Sequence, residues 1–199
     1  MLEWALKCRE ENIMKQTRRD SIFASVTIIV VATLLVASSA SAMEWEKGQR
    51  KWSGSVAVGS TFNGSASFRL IGAYWLPSCL KLWEHGAGYL RIELDTGVLD
   101  TTDSAFDIGL QPVFRYECRR FSSFSPYLDL GAGVNFLSRA NINGRQLGAA
   151  QQFSLIAGLG LSFKSGVEIG YRYMHLSNAD IHDNNDGRDE HLGVITFLF

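Results

Sequence analysis

The sequence predicts an all-β protein, an eight-stranded antiparallel β-barrel that crosses a membrane, and three observations carry this prediction. Apolar and polar residues alternate with a period of two through eight segments, as in strands with one polar and one apolar side. An export signal precedes these segments, and the chain ends in an aromatic strand whose last residue is Phe199. Strands of roughly ten residues with one apolar face are what an outer-membrane barrel requires.

The export signal lies near the N-terminus. Residues 22–37 form an apolar run that follows three basic residues and precedes the small residues 40–42, Ala-Ser-Ala. A basic region, a short apolar core and an A-x-A motif are typical of a secretory signal peptide. A transmembrane anchor helix is the alternative. The expected division is a signal peptide, residues 1–42, followed by an exported barrel domain, residues 43–199.

The alternation divides the exported part into eight predicted strands. In residues 89–95, YLRIELD, leucine and isoleucine alternate with arginine, glutamate and aspartate. Turn signals such as Asn63-Gly64 and Asn143-Gly144 separate the segments. The predicted strands comprise residues 51–62, 65–75, 87–99, 107–120, 126–137, 150–163, 167–177 and 190–199.

The polar sides of these strands favour a membrane barrel over a soluble one. Opposite charges and glycines are mixed on them, for example Arg91, Glu93 and Arg115, which suits a small filled interior in which charges pair. A soluble barrel or sandwich with its apolar sides inward shows the same alternation and is the alternative. The net charge of −1 gives no overall basic field, so nucleic acid is not an expected partner.

The candidate chemistry lies in HLSNAD, residues 175–180, at the end of the seventh predicted strand. His175 and Ser177 fall on its apolar side, and residues i and i+2 of a strand share a face, with Cβ atoms roughly 7 Å apart. A histidine that accepts the proton of a serine is the core of nucleophilic acyl transfer. Polar groups that face lipid are costly without a purpose. The alternative to a catalytic role is that His175 and Ser177 are two interfacial residues at the barrel rim.

Residues 171–199 resemble a known family. HLSNAD, a short polar loop, NDGRDE at residues 185–190 and the aromatic last strand are similar to the C-terminal signature of the lipid A 3-O-deacylases. Upstream, the resemblance extends only to barrel architecture and length. It implies an outer-membrane barrel with a Ser–His–acid triad on its lipid-facing surface, which hydrolyses the ester that holds the 3-hydroxyacyl chain at position 3 of lipid A. By resemblance, Ser177 is the nucleophile, His175 the general base and acid, and Asn178 part of the oxyanion hole.

The acid of the triad is left open between two neighbours. The family's usual glutamate stands two positions after the loop glycine, and here that position holds Asp189, two after Gly187, with Glu190 one residue further. A one-residue insertion in the loop would make Glu190 the acid. Strand parity favours Asp189, because it shares a face with the aromatic Phe197 and Phe199, but a bulge would reverse this. Both acids are kept as candidates.

The resemblance also implies the surroundings. The substrate is lipid A within lipopolysaccharide, the neighbours are outer-membrane lipids, and the reaction uses neither metal nor cofactor. With an even number of strands and a periplasmic N-terminus, the seventh strand ends outside, so the site is expected at the outer leaflet of the bacterial outer membrane. The sequence does not fix the oligomeric state, and a homodimer is compatible with it.

Two rival functions and two structural questions stay open at the level of sequence. A non-enzymatic eight-stranded barrel that anchors or adheres is one rival, and a different outer-membrane lipid enzyme, such as a phospholipase or acyltransferase, is the other. Cys79 and Cys118 both lie in the exported part, where a disulfide is permitted, but sequence does not decide whether they pair. Both Met1 and Met14 are compatible translation starts.

Overall fold

A computed structural model describes residues 51–62, 64–100, 104–142, 144–182 and 184–199. Eight long strands close into an antiparallel barrel in which the last strand pairs with the first, which confirms the predicted fold class. Two short strands, β6 and β7, form a separate hairpin between β5 and β8. The strands are β1 (Trp52–Thr61), β2 (Ala66–Leu82), β3 (Gly86–Asp100), β4 (Ala105–Cys118), β5 (Phe124–Leu137), β6 (Asn141–Ile142), β7 (Arg145–Gln146), β8 (Gln151–Phe163), β9 (Val167–Ser177) and β10 (Arg188–Leu198).

The observed strand boundaries agree with the predicted ones to within two residues except at the end of β2, and one hairpin was not predicted. β2 continues to Leu82 through a register shift between Trp75 and Cys79, at a Leu-Pro pair where the alternation breaks and a proline cannot donate to the ladder. β10 begins at Arg188, two residues before the prediction. The hairpin β6–β7 was not predicted, because two-residue strands are too short for a periodic pattern. The predicted signal peptide and both candidate start methionines lie outside the described residues.

The two faces of the barrel wall have opposite character. The outer face carries large exposed apolar side chains, whereas the inner face carries buried charged ones, the arrangement of a small barrel in lipid. None of the described residues forms a helix long and apolar enough to span a membrane. The exposed side chains include Leu70, Leu94, Leu110, Leu130, Leu159, Ile169, Ile195 and Phe197, and the buried ones include Arg69, Arg91, Glu93, Asp95, Asp107, Arg115, Asp129, Glu168, Arg172, Arg188 and Glu190.

The buried charges pair with one another across the barrel interior. Arg69 donates to Asp95 and Asp107 at 2.8 and 2.9 Å and to Glu190 at 2.8 Å. A second group of charges lies around Arg115, which donates to Asp129 at 2.8 Å. Charges removed from water are tolerated only when they are paired and hydrogen-bonded. The interior is therefore a polar core filled by paired charges.

An apolar plug closes one end of the barrel. Ile142 of β6 and Leu147, just after β7, are buried against Leu99, Leu137 and Leu176 from the strands. We call this end, which carries the β6–β7 hairpin, the loop end. The plug fixes the hairpin over the barrel mouth, beside the segment that joins β9 to β10.

Cys79 and Cys118 lie on different strands. Cys79 is on β2, Cys118 is on β4, and β3 runs between them. Two strand spacings amount to about 9–10 Å, beyond the roughly 7 Å between Cα atoms that a disulfide bridges. Cys118 carries a free thiol, while the side chain of Cys79 lies outside the described residues. The backbone arrangement thus argues against the pairing that the sequence left open.

Candidate active site

His175 and Ser177 lie on the outer face of β9, at the loop end. Along this strand, Arg172 and Met174 are buried in the interior, whereas Ile169 is exposed on the outside. His175 and Ser177 follow the parity of Ile169 and are partly exposed. The placement follows from strand alternation, which sends successive side chains to opposite faces.

Asp189 of β10 is the register partner of His175 of β9. The distance between His175 Nδ1 and Asp189 Oδ1 is 2.6 Å, and the two side chains are 34% and 32% exposed. The backbone of Asp189 is held on its other side as well, because its carbonyl accepts a hydrogen bond from the N–H of Phe62 at 3.2 Å. A carboxylate that is hydrogen-bonded to one ring nitrogen orients the imidazole and sets its tautomer, which leaves the other nitrogen available as a proton acceptor.

Glu190 lies inside the barrel. Its side chain is fully buried, accepts hydrogen bonds from Arg69 at 2.8 Å and Ser67 at 2.7 Å, and forms an ion pair with Arg188 at 2.6 Å. The pairing of β9 with β10 runs without a register shift from Arg188 onward, so Asp189 and its neighbour face opposite sides. Of the two acids that the sequence left open, the fold brings Asp189 to His175 and commits Glu190 to the interior charge network.

Ser177 is the last residue of β9 and pairs with Phe153 of β8. Within the described part of the chain, no hydrogen bond joins its hydroxyl to His175. Cβ atoms at i and i+2 are roughly 7 Å apart, a gap that a histidine and a serine bridge when their rotamers converge. Catalytic hydrogen bonds of this kind are often long without substrate and tighten in the complex.

Asn178, the predicted oxyanion residue, is buried and bonded within the loops. Its side-chain amide donates to the carbonyl oxygens of Leu147 at 2.8 Å and Asn184 at 2.7 Å. Its backbone N–H donates to the side chain of Asn185 at 3.0 Å. In this arrangement the donors of Asn178 hold the loop after Ser177, and its part in an oxyanion hole stays a prediction.

Residues 32–196 match the model of a family described as lipid A 3-O-deacylase (PagL), which covers most of the chain, including the segment from His175 to Asp189. This chain belongs to the lipid A 3-O-deacylase family. The resemblance first seen in the last two strands therefore extends over the whole barrel.

Individual relatives agree with this assignment. The deacylase is 31% identical over 138 residues, 67% of its length and 78% of the other's, to the lipid A deacylase PagL of Pseudomonas aeruginosa. It is 36% identical over 63 residues to the lipid A deacylase PagL of Bordetella bronchiseptica, which spans 35% of that relative and 32% of this chain. The solved structure described as the outer membrane enzyme PagL has a TM-score of 0.70 and 24% identity, covering 74% of this chain and 99% of its own. This structural likeness shows a shared fold.

The β6–β7 hairpin holds the loop of the deacylase that leads into Asp189. Arg145 of the hairpin donates to the carbonyl oxygens of Asp186 at 3.2 Å and Gly187 at 2.8 Å. Gln146 and Asp186 exchange two more bonds, from the Gln146 N–H to the Asp186 carboxylate at 2.7 Å and from the Asp186 N–H to the Gln146 carbonyl at 3.1 Å. The hairpin thus anchors the residues immediately before the candidate acid.

Gly187 lies against the imidazole of His175. It has a positive φ of 62°, and a Cβ at this position would stand 3.2 Å from His175 Cε1 and 3.7 Å from Nε2. The glycine thus leaves room beside the ring edge that Asp189 does not hold. In the sequence, Gly187 served only to locate the acid two positions later. A glycine at such a position also indicates a backbone conformation that other residues rarely adopt.

Tyr173 is a further site residue that sequence reasoning missed. Its hydroxyl donates to Asp189 Oδ1 at 2.6 Å, the same oxygen that contacts His175. The only signal in the sequence is its position, two residues before His175 and hence on the same face of β9. That signal is weak, because a tyrosine there also fits the aromatic belt of a membrane barrel.

Proposed function

We propose that Ser177, His175 and Asp189 form the catalytic triad with which this deacylase hydrolyses the ester that holds the 3-hydroxyacyl chain at position 3 of lipid A. The observation that carries the proposal is the 2.6 Å contact between His175 and Asp189 on the outer face of the wall. A hydrogen-bonded histidine and carboxylate beside a serine suit nucleophilic acyl transfer, and membership of the family supplies the substrate class.

Each residue has one role in the proposed reaction. Asp189 accepts a hydrogen bond from the Nδ1–H of His175 and stays ionised, which leaves Nε2 to take the proton of the Ser177 hydroxyl as its oxygen attacks the ester carbonyl. When the tetrahedral intermediate collapses, the imidazolium returns that proton to the departing sugar oxygen. An acyl-enzyme remains on Ser177. Water, deprotonated by His175, then releases the 3-hydroxy fatty acid and restores the serine.

The outer face lets the substrate arrive from the bilayer. Ser177 pairs with Phe153 and His175 with Leu155 on the neighbouring strand β8, and Leu155 is exposed on the same outer face. Acyl chains that pack on this apolar surface stay out of water. Lipid A can therefore reach Ser177 by lateral diffusion while its acyl chains remain in the membrane.

The loop lengths support an orientation with the site at the outer leaflet. Outer-membrane barrels have short periplasmic turns and longer extracellular loops. The connections at the loop end, from β5 to β8 and from β9 to β10, are longer than those at the opposite end, where three residues join β8 to β9. In this orientation the site lies at the outer leaflet, which is the leaflet that contains lipid A. Enzyme and substrate therefore share one side of the membrane.

A substrate comparison tests the proposed function. The purified barrel, refolded in detergent, is incubated in separate arms with lipid A that carries a 3-O-linked hydroxyacyl chain, with lipid A already lacking that chain, and with phospholipid. We expect the first substrate alone to lose the mass of one hydroxyacyl group by mass spectrometry. Unchanged lipid A would support a non-enzymatic barrel, and equal cleavage of phospholipid would support a general lipid hydrolase.

The packing of Gly187 against His175 gives a sharper prediction about the geometry. Gly187→Ala is expected to lower kcat about tenfold, because the new methyl group presses on the imidazole edge that faces away from Asp189. Gly144→Ala is the matched control, since Gly144 also has positive φ, 76°, but nothing lies within 4 Å of its added Cβ. Both variants should lose similar stability. Equal activity of the two variants would contradict a role of Gly187 in placing the imidazole.

A further inference from the structure

Asp189 Oδ1 contacts two neighbours on the outer face, and the second of them is Tyr173. The Tyr173 hydroxyl donates to this oxygen at 2.6 Å, the same distance at which His175 Nδ1 contacts it. We propose that Tyr173 is a positioning residue of the esterase site, whose hydroxyl holds the Asp189 carboxylate in the orientation that receives the His175 Nδ1–H. The inference rests on the proposed triad and adds a fourth member to it.

The carboxylate needs such a partner because of where it lies. Asp189 is about one-third exposed on the face that meets lipid, where a charged group without donors is costly. Its backbone is held between β9 and the N–H of Phe62, but the backbone does not fix rotation of the carboxylate itself. One bond from a histidine that gains and loses protons fixes that rotation poorly. A second donor on the rigid strand β9 fixes it independently.

Tyr173 is itself held in place. Its register partner on β10 is His191, and their ring centroids are 5.4 Å apart in a tilted arrangement. The register partner on its other side is Ala157 of β8, whose small side chain leaves room for the tyrosine ring. A ring fixed by its neighbours presents its hydroxyl to Asp189 at little entropic cost.

A second tyrosine on the same strand shows that the contact is selective. Tyr171 lies two residues further from the loop end on the same outer face, and its hydroxyl is 2.6 Å from His191 Nδ1. The two tyrosines share a strand, a face and an aromatic neighbour, but only Tyr173 contacts Asp189. Tyr171 is therefore the matched control for the loss of a hydroxyl from this surface.

The first test compares Tyr173→Phe with Tyr171→Phe in the refolded full-length barrel acting on lipid A. We expect Tyr173→Phe to lower kcat about tenfold with KM within about twofold, the scale of one hydrogen bond to a charged group. The rate at which a fluorophosphonate labels Ser177 should fall by a similar factor. Tyr171→Phe should change neither rate by more than about twofold. Unchanged kcat and labelling in Tyr173→Phe would overturn the inference.

A second test separates positioning from a general structural role. In the Asp189→Asn background, adding Tyr173→Phe should produce no further loss in the labelling rate, because the effect of the hydroxyl passes through the carboxylate. An additional loss equal to that in the wild-type background would overturn the inference. Heat-dependent gel migration, which distinguishes folded from unfolded barrel, confirms that each variant is folded before its rate is compared.

Failure of this inference is distinguishable from failure of the proposed function. If wild-type barrel leaves lipid A intact, or if Ser177→Ala remains active, the proposed function fails. If wild type cleaves lipid A, Ser177→Ala does not, and Tyr173→Phe equals wild type, the proposed function and its nucleophile stand and only the role of Tyr173 is overturned.

Discussion

Cells that carry Ser177→Ala are expected to keep the 3-O-linked hydroxyacyl chain on their lipid A, with the rate of its removal lowered by about 10³-fold or more. Without the proposed nucleophile no acyl-enzyme forms, and only the contributions of binding and general polarisation remain. The barrel should assemble normally, because Ser177 is the last residue of β9 and lies on its outer face. The readout is mass spectrometry of lipid A from cells that produce equal amounts of folded barrel.

The control for this variant is Ser60→Ala. Ser60 is an exposed serine near the loop end of β1 and pairs with His191 of β10 rather than with His175. It shares the chemistry of the change and the strand environment, so its lipid A profile should match wild type. If Ser177→Ala strips the hydroxyacyl chain as fast as Ser60→Ala, Ser177 is not the nucleophile.

The barrel was predictable because its signal is repeated and local. Period-two alternation recurs in every long strand, and alternation alone indicates which residues share a face. The register shift between Trp75 and Cys79 and the hairpin from Asn141 to Gln146 escaped prediction. The hairpin strands have two residues each and are too short to impose a period, and the register shift lies at a Leu-Pro pair that interrupts the alternation of β2.

The alternation of the strands predicted which candidate site residues share a face, but not which of them are in contact. Parity placed His175, Ser177 and Asp189 on one face of neighbouring strands, but only the register of β9 against β10 shows that His175 and Asp189 are directly opposite. The side-chain amide of Asn178 donates to the carbonyl oxygens of Asn184 and of Leu147, which follows the β6–β7 hairpin. No spacing in the sequence reports such contacts, so the hydrogen bonds of Asn178 within the loops could not be predicted.

The two neighbouring acids should respond to substitution in opposite ways. Asp189→Asn is expected to lower kcat by about 10³-fold or more while the barrel stays as stable as wild type. The amide retains the size of the side chain but no longer offers the charged acceptor that orients the imidazole and stabilises it when protonated. The partly exposed position of Asp189 on the outer face means that few packing contacts are lost. Deacylation kinetics and urea unfolding of the same preparations measure both effects.

Glu190→Gln is expected to behave in the reverse sense, with near-wild-type kcat and a lower free energy of unfolding, by about 3 kcal/mol. The glutamate pairs with Arg69 and Arg188 in the interior, and removal of one partner from a buried ion pair leaves uncompensated charge. The two variants change adjacent residues by the same carboxylate-to-amide step, so each is the control for the other. If Glu190→Gln abolishes deacylation in a fully folded barrel while Asp189→Asn remains active, the acid of the triad is Glu190 and not Asp189. Glu190 would then have to face outward during catalysis, which requires a break in the alternation of β10.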